Sequence, residues 1–392
     1  MKQLVLHVGS HKTGTTTLQK FMVENAQAFE EKGLYVPITP SKYPLTNKNR
    51  TACFLKYLVR GNLGYPTWND DVKDLVEKDR EVVMRAIEEH DAIYLSDERI
   101  WFDGAQNERY WGELKSAAEG LGIDSFKVVV YLRRQDEFLV SLWAQLAKKN
   151  MAFSLNDYLM KPRNEKAVDY LANLRVMEQA FGRDNMIVRV YDRATLINGD
   201  ICCDFCDAIG IEWSEQFKPV VSQNPSLSTS MAEIMRIANS TPSYRKTDGF
   251  LTRMAQRTSS SKGKSLSAVS ASELNSVLES FAEDNAVIAK EYLGREDGVL
   301  FDSTAELSDI TLFTPKMLYD MCFFFSDVLA SEHAKRLQLE EEVKRLREQV
   351  NKEGAQLKKI KKENTRQRKR VDSLERCSLI FRLKRFIKNK KG

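Results

Sequence analysis

Short apolar runs alternate with longer helical patterns through the first half of the chain. Leu4–Val8 is apolar, is flanked by turn residues, and reads as a strand buried on both faces of a parallel sheet. Ile93–Ser96, Lys127–Leu132 and Ile187–Tyr191 repeat that signal. A helical pattern over Thr16–Lys32 places Leu18, Phe21 and Met22 on one face. Strands interleaved with helices predict an α/β fold, a parallel sheet flanked by helices on both faces. Pro37–Asn69 breaks the rhythm with Pro, Asn, Thr, Tyr and Lys, and reads as an insertion over the sheet's binding edge. From Asn224 to Ala330 the pattern is mainly helical. Within it, Thr258–Ser272 is a Ser/Lys/Gly segment with the composition of a mobile loop.

Beyond Ser331 the periodicity changes. Leu339, Val343, Leu346, Val350, Leu357, Ile360, Val371 and Leu374 fall in one a/d heptad register, with Glu353, Asn364 and Gln367 at its remaining positions. That spacing predicts a coiled coil, and a polar Asn at an a position fixes register or strand number. In Cys377–Lys391, Leu379, Ile380, Leu383, Phe386 and Ile387 recur at helical spacing. Arg382, Lys384, Arg385, Lys388, Lys390 and Lys391 fill the other face. A basic amphipathic helix of this kind fits an anionic membrane surface or a partner protein. Nucleic acid is not expected, because no reading module accompanies the charge. The expected organisation is an α/β domain over 1–330, a coiled coil over 331–376 that makes a homo-oligomer, and a basic tail over 377–392.

Charge sharpens this division. The net charge is +5 over 392 residues, but 358–392 holds fifteen Lys and Arg against three Asp and Glu. The tail therefore carries +12 and the rest −7. Six cysteines show no framework spacing. Cys203 and Cys206 sit among apolar residues with no second pair or His nearby, so buried thiols are expected rather than disulfides or zinc. No apolar run is long enough for a membrane span, and no leader-like segment opens the chain. The expected location is the cytoplasm, with peripheral attachment at the inner face of the membrane.

The chemistry concentrates in Gly9-Ser-His-Lys-Thr-Gly-Thr-Thr16, between the first strand and the helix after it. A helix start offers unpartnered N–H groups and the positive end of the dipole, which bind phosphate. Gly9 and Gly14 let the backbone curl, Thr15, Thr16 and Thr17 add hydroxyls, and Lys12 adds a full charge. The glycines have NTPase separation, yet the residue after Gly14 is Thr15 where that motif has Lys. The lysine instead stands two positions before Gly14. Lys12-Thr13-Gly14-Thr15-Thr16 resembles the 5′-phosphosulfate loop of PAPS-dependent sulfotransferases (PAPS is 3′-phosphoadenosine 5′-phosphosulfate), which have a P-loop-type fold. The resemblance is nearest to their carbohydrate-acting and bacterial members.

That family has a second element, an Arg ending a later strand and a Ser eight residues on, both holding the donor's 3′-phosphate. Here they match Arg133 and Ser141. The plainer alternative pairs Arg133 and Arg134 with Asp136 or Glu137 as surface charges. The likeness runs loosely to about Ala330 and includes Asp200–Ile211, Ser222–Asn239 and Phe281–Leu293. It implies PAPS as donor, PAP as product, no metal, and an acceptor that is a glycan or glycolipid. Lys12 would stabilise the leaving group, with Thr13 to Thr17 on the 5′-phosphate. Lys262 and Lys264 would close over the 3′-phosphate.

An acceptor needs a general base. Glu98 is preferred because it follows a strand at the carboxyl edge of the sheet, where ligands bind. Asp97 and His11 are the next candidates, and His7, inside a strand, reads as core. Asp97 also keeps a metal-dependent P-loop kinase or NTPase in view, since such enzymes use an Asp at a strand end. The other alternative is an inactive sulfotransferase-like scaffold acting through its coil.

Overall fold

The computed structural model describes residues 1–43, 49–148, 151–160, 165–220, 229–239, 271–301 and 315–389. Its chain divides into two compact units, Met1–Cys322 and Phe323–Gly392.

The first unit is built on four parallel strands, β1 (Gln3–His7), β2 (Ala92–Ser96), β3 (Ser125–Leu132) and β4 (Met186–Val190), in the order β2-β1-β3-β4. Each matches a predicted run to within two residues. Along β1 the register pairs Leu4 with Ile93 on one side and with Phe126 on the other. The chain leaves β1 for β2 on one flank and returns to β3 on the opposite flank. Ligands in open parallel sheets bind where such connections diverge, beyond the strands' carboxyl ends.

Alternation along the strands serves both faces. Val5, Val129 and Tyr131 pack with α1 (Thr15–Glu24) and a helix at Ile201–Ile209 through Leu18, Phe21, Ile201 and Phe205. Leu4, Leu6, Val128 and Val130 point the other way and are fully buried. The helix predicted over Thr16–Lys32 is broken at Asn25, after which α2 covers Ala26–Glu30. The break has a tertiary cause. Asn25 donates through Nδ2 to the Lys218 carbonyl at 3.1 Å and accepts the Lys218 N–H at 2.7 Å, so its side chain ties down a distant strap.

The segment read as an insertion contains a buried helix, α3 (Cys53–Asn62). A twenty-residue helix, α4 (Asp70–Glu89), follows it, with Asn69 capping its start by accepting the Val72 N–H at 3.0 Å. Beyond β2 come α5 (Arg99–Gln106) and α6 (Arg109–Glu119), whose Trp101 and Trp111 are fully buried. Between β3 and β4 lie α7 (Gln135–Ala147), α8 (Leu155–Leu159) and α9 (Tyr170–Phe181). After β4 come α10 (Ile201–Ile209), α11 (Thr229–Asn239), α12 (Ala271–Glu279) and α13 (Ala282–Leu293). Residues 240–270 lie outside the described set, and with them most of the Ser/Lys/Gly segment. Of the two cysteines expected to be buried thiols, Cys206 is buried in α10 whereas Cys203 is only half-buried; both are free.

A final helix, α14, runs from Pro315 to Asn389 and makes up the second unit from Phe323 onward. Among the described residues, no helix is long and apolar enough to cross a membrane.

Candidate active site

Three neighbouring strand ends converge. β1 delivers the Gly9–Gly14 turn, β2 delivers Asp97 and Glu98, and β3 delivers Arg133. Their proximity follows from the strand order, since β1 pairs with both other strands. The turn is tied to β3 by the Val8 N–H on the Val129 carbonyl at 3.1 Å and by the Ser10 hydroxyl on the Tyr131 carbonyl at 2.8 Å. The buried Thr13 hydroxyl donates to the Ser10 carbonyl at 2.6 Å, which closes the turn on itself.

This curl demands unusual backbone. Gly9 and Gly14 have φ of +35° and +72°, and a Cβ on Gly14 would lie 3.1 Å from the Tyr191 ring and 3.3 Å from Ile201. Lys12 also takes φ +69°. A lysine in the left-handed region costs about 1 kcal/mol, and such strain persists where surrounding structure imposes it, commonly at functional sites. The Lys12 carbonyl accepts from Arg133 Nη1 at 3.1 Å. α1 then starts at Thr15 with no side-chain cap and no acid in its first turn. Thr15 is buried, Thr16 exposed and Thr17 half-buried.

Lys12 is half-buried, and its ammonium is held down to about 8 by burial and by the nearby charges of Lys148 and Arg133. Lys148 follows the last residue of α7 and is itself lowered by burial. The sequence reading missed it. Arg133 also bonds Glu137, with Nε and Nη2 each 2.9 Å from Oε2, and its side chain stays one-quarter exposed. Arg134 pairs with Asp136 at 2.8 Å and with Glu137 at 3.4 Å. Arg134 and Arg133 both make the carboxylate pairs of the plainer alternative, but Arg134 meets Asp136 as a largely buried pair, with side chains 11% and 2% exposed, and not as surface charges. Ser141 is half-buried in the second turn of α7. Lys262 and Lys264 lie outside the described residues.

On the β2 side, Asp97 is fully buried. Lys56 Nζ donates to its Oδ2 at 2.9 Å, the Arg99 N–H to its Oδ1 at 2.8 Å, and Arg50 Nη1 stands 3.6 Å from Oδ1. Burial alone would raise this carboxyl, but Lys56 and Arg50 outweigh it and hold it below the ordinary value. Glu98 accepts from Arg50 Nη2 through Oε1 and from Gln19 Nε2 through Oε2 at 3.0 Å. Burial raises its carboxyl, Arg50 opposes and Asp97 adds to the rise; the net shift is upward. His11 Nδ1 lies 3.9 Å from Glu98 Oε1. Burial, then Arg99 and Arg50, push His11 down to about 3, so its ring is neutral at physiological pH. His7 is fully buried, with Nδ1 2.9 Å from the Ser96 hydroxyl, in keeping with a core role.

Arg50, Lys56 and Gln19 are the other participants the sequence did not reveal. Arg50 and Lys56 come from the supposed insertion, and each resembles an ordinary surface cation until its partner is known. Among the described residues, no group of three or more His, Cys, Asp or Glu could hold a metal ion.

No family model matches the chain. An uncharacterised protein of Archaeoglobus fulgidus is 32% identical over 183 residues, which is 45% of this chain and 48% of that protein. The chain thus spans about half the length of the curated relative it matches. Among solved structures, a sulfotransferase from Alicyclobacillus acidocaldarius matches with a TM-score of 0.35 at 15% identity, over 63% of this chain and 100% of that one.

Proposed function

We propose that the chain is a sulfotransferase that moves a sulfuryl group from PAPS to a hydroxyl or amine of a glycan or glycolipid. The observation that carries this reading is the cationic crest of the β1 turn. Lys12 stands before Gly14 in a left-handed conformation, its carbonyl accepts from Arg133, and the charges of Lys148 and Arg133 bear on its ammonium.

These residues fit a donor with two anionic ends. The uncapped, acid-free start of α1 and the tightly curled Gly9–Gly14 backbone suit the 5′-phosphosulfate, with Thr15, Thr16 and Thr17 adding donors. Arg133 retains guanidinium surface for the 3′-phosphate, where Ser141 would join it. Bound there, the donor supplies the sulfuryl group and leaves as PAP.

The chain's own groups then divide the work. The Lys12 ammonium faces the charge that develops on the leaving phosphate oxygen, where a preorganised cation lowers the barrier most. Glu98 takes the acceptor's proton as the acceptor oxygen or nitrogen bonds to sulfur and the bond from sulfur to phosphate oxygen breaks. Its raised carboxyl is a stronger base than the strongly depressed His11 imidazole. Arg50 and Gln19 hold Glu98 in place. Asp97 is an internal anchor, since its oxygens already serve Lys56, Arg50 and the Arg99 N–H. A catalytic cation at Asp97 would have to displace Lys56, which weighs against the kinase reading. The same proposal has two or more copies joined through the heptad seam of α14.

The test is acceptor-dependent release of PAP from PAPS over a panel of glycans, glycolipids and small alcohols, without added metal. We expect turnover on a glycan, and a fall of roughly 10²–10³-fold in Lys12→Ala. Turnover equal in wild type and Lys12→Ala, or no turnover on any acceptor, overturns the proposal.

A further inference from the structure

Helix α14 carries two apolar stripes that do not share a face. The first is the heptad seam, which ends at Val371 and Leu374. The second consists of Leu379, Ile380, Leu383 and Phe386, which are 59%, 54%, 57% and 63% exposed. The helix is unbroken from Pro315 to Asn389, so each residue turns it by about 100°. On that spacing the second stripe centres about 140° around the helix from Val371 and Leu374.

The seam does not simply continue. Carried forward, its a and d positions fall on Ser378, Phe381, Arg385 and Lys388. In a parallel pair of helices this would set Arg385 against its own copy, where like charges repel. A partner on the seam therefore leaves the second stripe facing outward. Its surroundings indicate what covers it. By helical spacing Arg382 and Lys384 fall at its two edges, and 358–392 carries a net +12. An apolar face edged by cations is complementary to a surface with negative headgroups above hydrocarbon.

We propose that residues 377–389 lie along an anionic lipid bilayer, with Leu379, Ile380, Leu383 and Phe386 seated among the upper acyl chains and the flanking cations on lipid phosphates. The seam on the opposite face stays free to pair copies of the chain. The inference uses only α14 and does not depend on the sulfotransferase reading.

The experiment is vesicle flotation of the full chain, with phosphatidylcholine vesicles and with phosphatidylcholine/phosphatidylglycerol vesicles. Wild type should float only with the anionic vesicles, and Leu383→Glu/Phe386→Glu should weaken that binding at least about tenfold. Its mass by light scattering and its far-ultraviolet circular dichroism should match wild type. Absence of flotation, equal flotation with neutral vesicles, or undiminished binding by the double variant overturns the proposal. A changed mass in the double variant does so too, by assigning the stripe to a protein interface.

Discussion

Replacing Lys56 with Met tests whether Asp97 is an anchor or a working carboxylate. The pair is sealed, with side chains 2% and 0% exposed and Nζ 2.9 Å from Oδ2. Met preserves most of the stem and deletes only the charge and its donors. Asp97 would keep the Arg99 N–H at 2.8 Å and Arg50 at 3.6 Å, so its charge would be partly stranded. Losing one partner of a buried ion pair costs about 3–5 kcal/mol, and the surviving Arg50 contact places the expected loss near the lower limit, about 3 kcal/mol. Adding Asp97→Asn removes the stranded charge, so the double variant should lose less than the two single variants combined, with a coupling of about 1–3 kcal/mol. Urea unfolding of wild type, both single variants and the double variant, followed by circular dichroism, gives all four corners of the cycle. A loss below about 1 kcal/mol in Lys56→Met, or strict additivity, would refute the reasoning. The charge of Asp97 would then not depend on Lys56, and the kinase reading would regain ground.

Two further outcomes follow from the turn. The Lys12 ammonium is held near 8, so its charge is present below that pH and lost above it. Affinity for PAP should therefore fall as pH rises through about 8, by up to about tenfold per unit beyond it, and Lys12→Met should flatten that dependence; an unchanged slope in Lys12→Met removes Lys12 from the donor site. Gly14→Ala meets both a φ of +72° and the Tyr191 ring at 3.1 Å, so the variant should lose about 1–2 kcal/mol in thermal or urea unfolding and bind PAP more weakly; an unperturbed variant would show that the turn does not need its curl.

The four strands were legible because each is a short, largely apolar run that alternates with helical patterns. The turn was legible because glycines, threonines and a lysine between a strand and a helix admit few conformations. Asn25 was not, since a mid-helix Asn carries no sign that Lys218 will claim its side chain. α3 was hidden for the same reason. Lys56 and Arg60 look like solvent-facing charges until β2 and α5 supply Asp97 and Asp103. Arg133 was singled out by the resemblance to the sulfotransferases' Arg and Ser element, whereas Arg50, Lys148 and Gln19 reach the site from elements whose placement depends on the strand order. Local patterns thus located the turn between β1 and α1, and tertiary pairing supplied its surroundings.

Calorimetric titration with PAP in metal-free buffer, beside a parallel titration with ATP and Mg²⁺, tests the central claim most directly. The account predicts PAP binding without metal, weakened by about 2 kcal/mol in Arg133→Ala through loss of a charge-assisted phosphate contact. Absence of PAP binding, or ATP with Mg²⁺ binding more tightly than PAP, would contradict it.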